Sequence, residues 1–162
     1  MRRRQPEDLH GIVTLVVESN AYYAAHAPDL FAPVEEEGLG EWLAGDEEWL
    51  ADPANLALVA ELDSEVAGYL EASIRLPSAS ARFSGNRDLR EPHLFVNAVV
   101  TAERCKRRGV GTAVVEAAES WAREKGVRPA LCDTFLGSRQ SLPFWEERMG
   151  YKRRSVRLRK QL

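Results

Sequence analysis

The chain has 162 residues, of which 44% are hydrophobic and 29% are charged, and its formal net charge is −3. This length suits a single domain over residues 1–162, and the composition excludes disordered and fibrous classes. The acidic balance disfavours nucleic acid as the main partner, and no apolar run reaches the ~18 residues of a membrane span. Two cysteines outside any C-x-x-C spacing disfavour disulfide and zinc sites, so we expect a cytoplasmic protein without a bound metal.

The first half of the chain predicts two helices followed by a strand pair. Pro6 suits the first turn of a helix, and apolar residues then recur at helical spacing through Val17. A second helical stretch covers residues 40–50 and ends at Asp52-Pro53. The apolar runs 56–62 and 66–74 flank the turn Asp63-Ser64, which predicts two antiparallel strands.

The second half of the chain predicts a long loop and then alternating strands and helices. Residues 77–92 are rich in Ser, Arg and Pro, as in a loop. Strands are predicted over 94–101, 130–135 and 151–158. Helices are predicted from Gly111 to Gly126 and from Ser138 or Ser141 to Arg148. This order indicates an α/β (α+β layered) domain with a central sheet flanked by helices.

One segment joins a strand to a helix through a basic, glycine-containing turn, Lys106-Arg107-Arg108-Gly109-Val110-Gly111-Thr112. The glycines let a ligand approach the backbone, and the first amides of the following helix have no intrahelical partners. Such a helix end binds phosphate groups, and the neighbouring cations strengthen that preference. The turn therefore predicts a phosphate-bearing ligand, although a purely structural basic turn would show the same residues.

The turn does not match the two common nucleotide motifs. A P-loop requires Gly-x-x-x-x-Gly-Lys-Ser/Thr, and the chain lacks that sequence. A dinucleotide fingerprint requires a third glycine three residues after Gly111, where the chain has Val114. The residues alone therefore leave the identity of the phosphate ligand open.

Two motifs together resemble the GCN5-related N-acetyltransferase (GNAT) superfamily. The segment Val100-Thr101-Ala102 followed by Lys106-Arg107-Arg108-Gly109-Val110-Gly111 is similar to its Gln/Arg-x-x-Gly-x-Gly/Ala motif. The segment Ser138-x-x-Ser141-x-x-Phe144-Trp145-x-x-x-x-Gly150-Tyr151 is similar to its second element. The resemblance covers most of the chain, since the order of strands and helices also agrees.

The resemblance implies acetyl-coenzyme A as cosubstrate. It also implies a mixed sheet with a V-shaped split between the parallel strands 94–101 and 130–135, where the acyl thioester lies. The residues that it places along the cosubstrate are Ala98, Val99, Val100, Lys106, Arg107, Arg108, Gly109, Val110, Gly111, Thr112, Ser138 and Phe144.

Two departures from the family pattern concern the acid that protonates the leaving thiolate. Trp145 stands where the family usually has a tyrosine, and an indole is a hydrogen-bond donor rather than a working acid. Ser138 replaces the usual Asn of the second element. Water or another side chain then has to protonate the thiolate.

The attacking amine must lose a proton, and three side chains are candidates for accepting it. Asp133 is the first, because it lies on the strand that borders the split and matches a family position proposed as base. Glu71 on a central strand is the second, and His93 is the third. For Asp133 the alternative role is to bind a cationic substrate. An acyl-cysteine route through Cys132 has no other support.

The sequence favours acetyl transfer to a primary amine of a small molecule. The acidic segment 35–48 would suit a cationic acceptor, although such a run is usually a solvated face. An acetyltransferase of protein lysines or N-termini and a non-catalytic acyl-coenzyme A sensor are the alternatives. Many members of the family that the chain resembles are dimers, so we also expect a homodimer.

Overall fold

The computed structural model describes residues 1–45 and 47–161. Its five strands form one sheet in the order β1-β2-β3-β4-β5. The strands are β1 (Arg2–Arg3), β2 (Asn55–Leu62), β3 (Glu65–Arg75), β4 (His93–Thr101) and β5 (Ala130–Cys132). Strands β1 to β4 pair antiparallel, and β5 joins β4 in parallel. This mixed sheet, flanked by helices, confirms the predicted fold class.

The helices are α1 (Leu9–His26), α2 (Leu39–Ala44), α3 (Glu47–Ala51), α4 (Val110–Glu124) and α5 (Ser141–Pro143). A π-helical turn, Phe144–Arg148, continues α5, and four short 3-10 turns lie in the connections. The second predicted helix is two shorter ones, and Asp46 between them lies outside the described residues. No helix within the described residues is long and apolar enough to cross a membrane.

The helices α1 and α4 pack on opposite faces of the sheet. On each face, a glycine lets the helix and the sheet come close together. A Cβ at Gly11 of α1 would lie 2.6 Å from a methyl carbon of Val66. A Cβ at Gly68 of β3 would lie 2.5 Å from Val110 Cγ1, the first residue of α4. The start of α4 is therefore held tightly against the centre of the sheet.

The hairpin between β2 and β3 forms at the predicted turn. Asp63 and Ser64 have φ values of 54° and 65°, the left-handed values that a tight two-residue hairpin turn requires. Asp tolerates this region better than most residues because its short side chain bonds locally. The apolar residues of both strands then meet in the core, where Val59 and Leu70 are fully buried.

The predicted C-terminal strand over 151–158 is wrong, because the described tail contains no strand. The strand predicted over 130–135 is also shorter, since β5 ends at Cys132. The tail also carries six cations from Lys152 to Lys160 and no acid. Its arginines instead pair outside the sheet, Arg153 with Glu146 at 2.5 Å and Arg154 with Asp88 at 3.2 Å.

The first strand, β1, was not predicted, and an ion pair fixes it. The Arg2 guanidinium donates two hydrogen bonds of 2.6 Å to Asp8, which is 4% exposed, and one of 2.8 Å to Glu61. The hydrogen bonds from Arg2 lower the pKa of the Asp8 carboxyl below its ordinary value, although burial opposes this. The pair therefore anchors the N-terminus to the sheet.

We expect Asp8→Asn to lower the free energy of unfolding by about 1–3 kcal/mol at neutral pH, since it removes charge-assisted hydrogen bonds from a buried position. The matched control Glu61→Gln, at an exposed partner of the same Arg2, should cost less than ~0.5 kcal/mol. Because the folded pKa of Asp8 is lowered, its contribution is present above the ordinary carboxyl pKa. It is lost as pH falls through the lowered value.

Urea unfolding of both variants at several pH values measures this difference. The gap between wild type and Asp8→Asn should shrink as the solution is acidified. A gap of constant size from neutral to strongly acidic pH would contradict the ionic origin of the effect.

Candidate active site

The strands β4 and β5 separate halfway along the sheet. They pair at Leu94 with Ala130, Phe95 with Leu131 and Val96 with Cys132, and the pairing ends there. At the same level Asn97 forms a bulge in β4, since Glu71 of β3 pairs with Ala98 while Ala72 pairs with Val96. The sheet therefore opens into a split from Asn97 onward, with the predicted residues Ala98, Val99 and Val100 along one wall.

The N-terminus of α4 lies at the open end of this split. Its first α-helical hydrogen bond runs from the Ala113 amide to the Gly109 carbonyl at 2.9 Å. The amides of Val110, Gly111 and Thr112 precede that bond, so they lack intrahelical acceptors. Their dipoles and the helix macrodipole favour an anion at this position.

The turn before α4 adopts a backbone conformation that suits an anion. Arg107 and Gly109 have left-handed φ values of 61° and 83°, and such residues in a turn can direct neighbouring amides toward one concavity. No atom lies within 4 Å of a Cβ built on Gly109, so the turn is open on that side. Arg107 and Arg108 are exposed and free to approach an anion held there.

The second motif meets the first at Gly111. A Cβ built on Gly111 would lie 3.5 Å from Phe144 Cε2 and 3.5 Å from Thr101 Oγ1. The glycine therefore sits between the end of β4 and the aromatic ring that begins the π-helical turn. The motifs at 106–112 and 138–151, distant in sequence, form one continuous surface.

Lys106 and Ser138 have structural contacts in addition to any ligand role. The Lys106 ammonium pairs with Glu103 and donates to Gln140 Oε1 at 2.8 Å, so it ties the turn to the α5 region. Buried Ser138 accepts a hydrogen bond of 2.9 Å from the Ser141 amide and thereby fixes the turn that leads into α5. Both residues shape the walls of the split.

Arg148 is a site residue that the sequence analysis missed. Its Nε donates to Thr112 Oγ1 at 3.3 Å, which brings a further cation to the first turn of α4. The sequence signal was weak, because Arg148 lies 36 residues away in a segment noted only for its aromatic pair. Its exposed guanidinium adds to the positive charge of Arg107 and Arg108.

Carboxylates lie on both sides of the split. By strand alternation Glu71 of β3 points to the α1 face. It is half-buried and accepts a short hydrogen bond from the hydroxyl of buried Tyr69. Asp133 follows β5 directly, is 79% exposed, and lies 4.0 Å from the Arg157 guanidinium. The split therefore separates one partly shielded carboxylate from one that is open to solvent.

Two neutral groups near the split are poorly suited to proton transfer. Burial raises the pKa of the Cys132 thiol to about 12, with the charge of Asp133 acting in the same direction, so the thiol stays protonated at neutral pH. Burial and Glu119 raise the pKa of Tyr151, whose hydroxyl donates to Glu119 at 3.2 Å. Trp145 packs between Phe144 and Tyr151, with ring centroids 5.0 and 4.9 Å away.

His93, the third candidate base, lies at the other end of β4. It begins the strand, opposite Arg75, and lies four positions before the bulge at Asn97. A rise of ~3.3 Å per residue places it about 13 Å from the split. The structure therefore brings Glu71 and Asp133 to the split and leaves His93 away from it. Within the described residues no group of three or more His, Cys, Asp or Glu could hold a metal ion.

The site residues fit an acyl-coenzyme A. A pyrophosphate suits the unpaired amides at 110–112 and the cations Arg107, Arg108 and Arg148. An extended, amide-containing arm suits the strand edge that the split leaves unpaired. The open space beside Gly109 leaves room for the anion.

Comparisons with known proteins agree with this geometry. The model of the acetyltransferase (GNAT) family matches residues 19–151. Aminoglycoside N(6′)-acetyltransferase type 1 from Klebsiella aerogenes is 34% identical over 109 residues, which are 67% of this chain. The match spans about 65% of that relative's length.

Two solved structures illustrate the likeness of fold. The BH1408 protein from Bacillus halodurans, as a tetramutant, superposes with a TM-score of 0.78 at 13% identity, covering 99% of this chain and 98% of that one. Aminoglycoside N-acetyltransferase AAC(6′)-Iy, solved in complex with CoA, gives a TM-score of 0.59 at 25% identity, covering 78% and 90%. With the family model matching most of its length, the chain belongs to the acetyltransferase (GNAT) family.

Proposed function

We propose that this protein transfers an acetyl group from acetyl-coenzyme A to a primary amine of a small molecule, by direct attack in a ternary complex. One observation carries the proposal: the same split has an anion-binding helix end at its mouth and Glu71 and Asp133 on its two sides. The helix end suits the phosphates of the cosubstrate, and the two carboxylates suit a cationic amine. The aminoglycoside acetyltransferases among its relatives support a small-molecule acceptor.

In this proposal the cosubstrate supplies the acetyl group as a thioester. The amides of 110–112 and the cations around them hold its pyrophosphate, and the β4 edge at 98–100 holds its arm. Gly111 and Phe144 shape the wall beside that arm. Ser138 holds the turn before α5 through its hydrogen bond with the Ser141 amide, and Lys106 holds the basic turn through its bond to Gln140.

The acceptor amine approaches from the α1 face, where Glu71 accepts its proton. Glu71 is the better placed base because it is half-buried and its carboxylate is oriented by Tyr69. Asp133, which is largely exposed, attracts the amine while it is still a cation. Water protonates the departing thiolate, since neither Trp145 nor Tyr151 offers an acidic proton to the split.

The first test measures amine-dependent release of coenzyme A from acetyl-coenzyme A, corrected for hydrolysis. The panel holds aminoglycosides, amino sugars, polyamines and amino acids, with a lysine peptide and an N-terminal peptide as the protein-like arm. We expect saturable release with at least one small amine and little with either peptide. Release with peptides alone would replace the small-molecule acceptor by a protein. Tight cosubstrate binding without release in any arm would favour a sensor.

We also propose that the protein forms a homodimer. The outer edge of β5 is unpaired among the described residues, and the tail exposes Val156 and Leu158 to 59% and 89%. Edge strands and exposed apolar side chains favour pairing with a second chain. Light scattering of the purified protein distinguishes a dimer from a monomer of 18.1 kDa.

A further inference from the structure

The loop between β3 and β4 borders an open cavity that the acetyl transfer does not use. Its volume is about 310 Å³, and it lies at the far end of β4 from the basic turn. The polar residues that line it are Arg75, Ser78, Ser80, Ser84 and His93. Two 3-10 turns, Ala81–Phe83 and Arg87–Leu89, give the loop its fixed shape.

His93 lines this cavity and is nearly buried, with 7% of its surface exposed. Its Nδ1 lies 3.2 Å from the Glu91 carbonyl oxygen, so Nδ1 carries a proton and donates it to that carbonyl. No hydrogen bond involves the second ring nitrogen, Nε2, among residues 1–45 and 47–161. A polar ligand in the cavity would provide a partner for it.

Arg75, the cross-strand partner of His93, provides a cation beside the cavity. Its guanidinium carbon lies 3.4 Å from the centroid of the Phe95 ring, and Nη2 donates to Asn97 Oδ1 at 3.2 Å. The stacking and this bond hold the planar group, and the guanidinium still has N–H groups to donate. A fixed guanidinium suits an oxyanion with several acceptor oxygens.

The serines and the positive charge of the loop also favour an anionic ligand. Ser84 Oγ accepts from the Asn86 amide at 3.1 Å, so its hydroxyl proton is free to bind a ligand. Ser78 and Ser80 share one hydrogen bond of 3.0 Å, which leaves a second hydroxyl proton. Residues 75–93 contain four arginines, one aspartate and one glutamate, a net charge of +2 in a chain of net charge −3.

We infer that this cavity is a binding subsite for a phosphate monoester. Its oxygens accept hydrogen bonds from Arg75 and the serine hydroxyls. One proton is shared between the phosphate and His93 Nε2, because a phosphate monoester, with a second pKa of about 6, can carry a proton near neutral pH. The several donors around the cavity match the three free oxygens of a phosphate monoester, whereas a carboxylate offers only two.

The subsite also bears on the acceptor, and this step rests on the proposed function. Arg75 and Glu71 point to the same face of β3, four residues apart, which corresponds to ~13 Å along the strand. A molecule of that span could place its phosphate in the cavity and its amine beside Glu71. The acceptor class is then an amine that carries a phosphate monoester at its far end.

The direct test is an NMR titration of the imidazole signals with inorganic phosphate, on protein saturated with coenzyme A so that the α4 end is occupied. The chain has only three histidines, so His93→Gln assigns the signal. We expect saturable shifts of His93 alone, much weaker shifts with acetate at equal ionic strength, and about tenfold weaker phosphate binding in Arg75→Gln. The control Arg90→Gln, in the same loop, should bind as wild type.

Equal responses of His10, His26 and His93, equal responses to phosphate and acetate, or unchanged phosphate affinity in Arg75→Gln would overturn the subsite. The same titration without coenzyme A keeps the two proposals separate. If coenzyme A does not bind but the His93 shift persists, the proposed function fails and the subsite stands.

A second arm establishes whether the phosphate belongs to the acceptor. Aminoalkyl phosphates of increasing length are compared with the matching amino alcohols in the coenzyme A release assay. We expect kcat/KM to favour a phosphate of intermediate length by about tenfold or more, and Arg75→Gln to abolish the preference. Equal values at every length would overturn the link to the acceptor and assign the cavity to a separate phosphate.

Discussion

Replacing Glu71 by Gln is expected to lower kcat for acetyl transfer by at least about 100-fold, the usual contribution of a general base. Gln keeps the size of the side chain and can still accept the hydrogen bond from Tyr69, but it cannot accept a proton from the amine. Affinity for acetyl-coenzyme A should not change, since the residues at 106–112 are untouched. Steady-state kinetics with the best acceptor of the panel, together with a binding titration, measures both.

The dependence on pH separates a base from a residue that only binds the amine. Without a base, the rate follows the fraction of amine that is already neutral. The residual rate of Glu71→Gln should therefore rise about tenfold per pH unit below the pKa of the amine, near 10 for an alkyl amine. Wild type should rise less steeply, because Glu71 removes the proton within the complex.

Asp133→Asn is the matched comparison on the other side of the split. If Asp133 attracts the cationic amine, its loss should raise KM for the acceptor several-fold and leave kcat nearly unchanged. The opposite outcome, a collapse of kcat in Asp133→Asn with Glu71→Gln nearly fully active, would transfer the role of base to Asp133. The two variants together therefore assign both carboxylates.

Local sequence patterns predicted the elements that local interactions determine. The turn at Asp63-Ser64 specified the β2–β3 hairpin, because those two residues suit the left-handed values that the turn needs. The apolar stripe of α4 and the basic turn before it were also predicted, since both are contiguous in the chain. The same reasoning located the anion-binding end of the site.

Elements that depend on a distant partner could not be predicted in this way. Strand β1 is two residues long, and it exists through pairing with Val59 and Leu58 and through the Arg2–Asp8 ion pair. The tail 151–158 was predicted as a strand but pairs with no strand among the described residues, although the outer edge of β5 is unpaired. Its arginines instead pair with Glu146 and with Asp88, which lies far away in the sequence.

In the candidate site, too, the residues of a contiguous motif could be predicted and the contacts between distant segments could not. Gly109 and Gly111 could be identified from the motif, whereas the approach of Arg148 to Thr112 depends on how the second motif packs onto α4. Glu71 and Asp133 were candidates singly, but only the end of β4–β5 pairing at Val96 and Cys132 places them around one opening. The cavity beside His93 requires a loop whose path the sequence did not predict.

Gly111→Val is expected to weaken binding of coenzyme A by about 10- to 100-fold, the effect of 1–3 kcal/mol of overpacking. A Cβ at this position would already touch Phe144 and Thr101 at 3.5 Å. The two further methyl groups of valine would either push the Phe144 ring away or extend into the space beside the unpaired amides. Both changes remove the surface on which the cosubstrate lies.

Gly111→Ala is the matched control, because a single Cβ at 3.5 Å makes ordinary contacts and should change affinity less than about threefold. Calorimetric titration with coenzyme A measures both variants, and urea unfolding of the unliganded proteins measures their stability. Weakened binding in Gly111→Val by more than its stability loss explains would support close approach of the ligand to the α4 amides. Equal affinities in all three proteins would place the cosubstrate elsewhere. That result would also remove the assignment of Arg107, Arg108 and Arg148 as its partners, since these cations surround the same helix end.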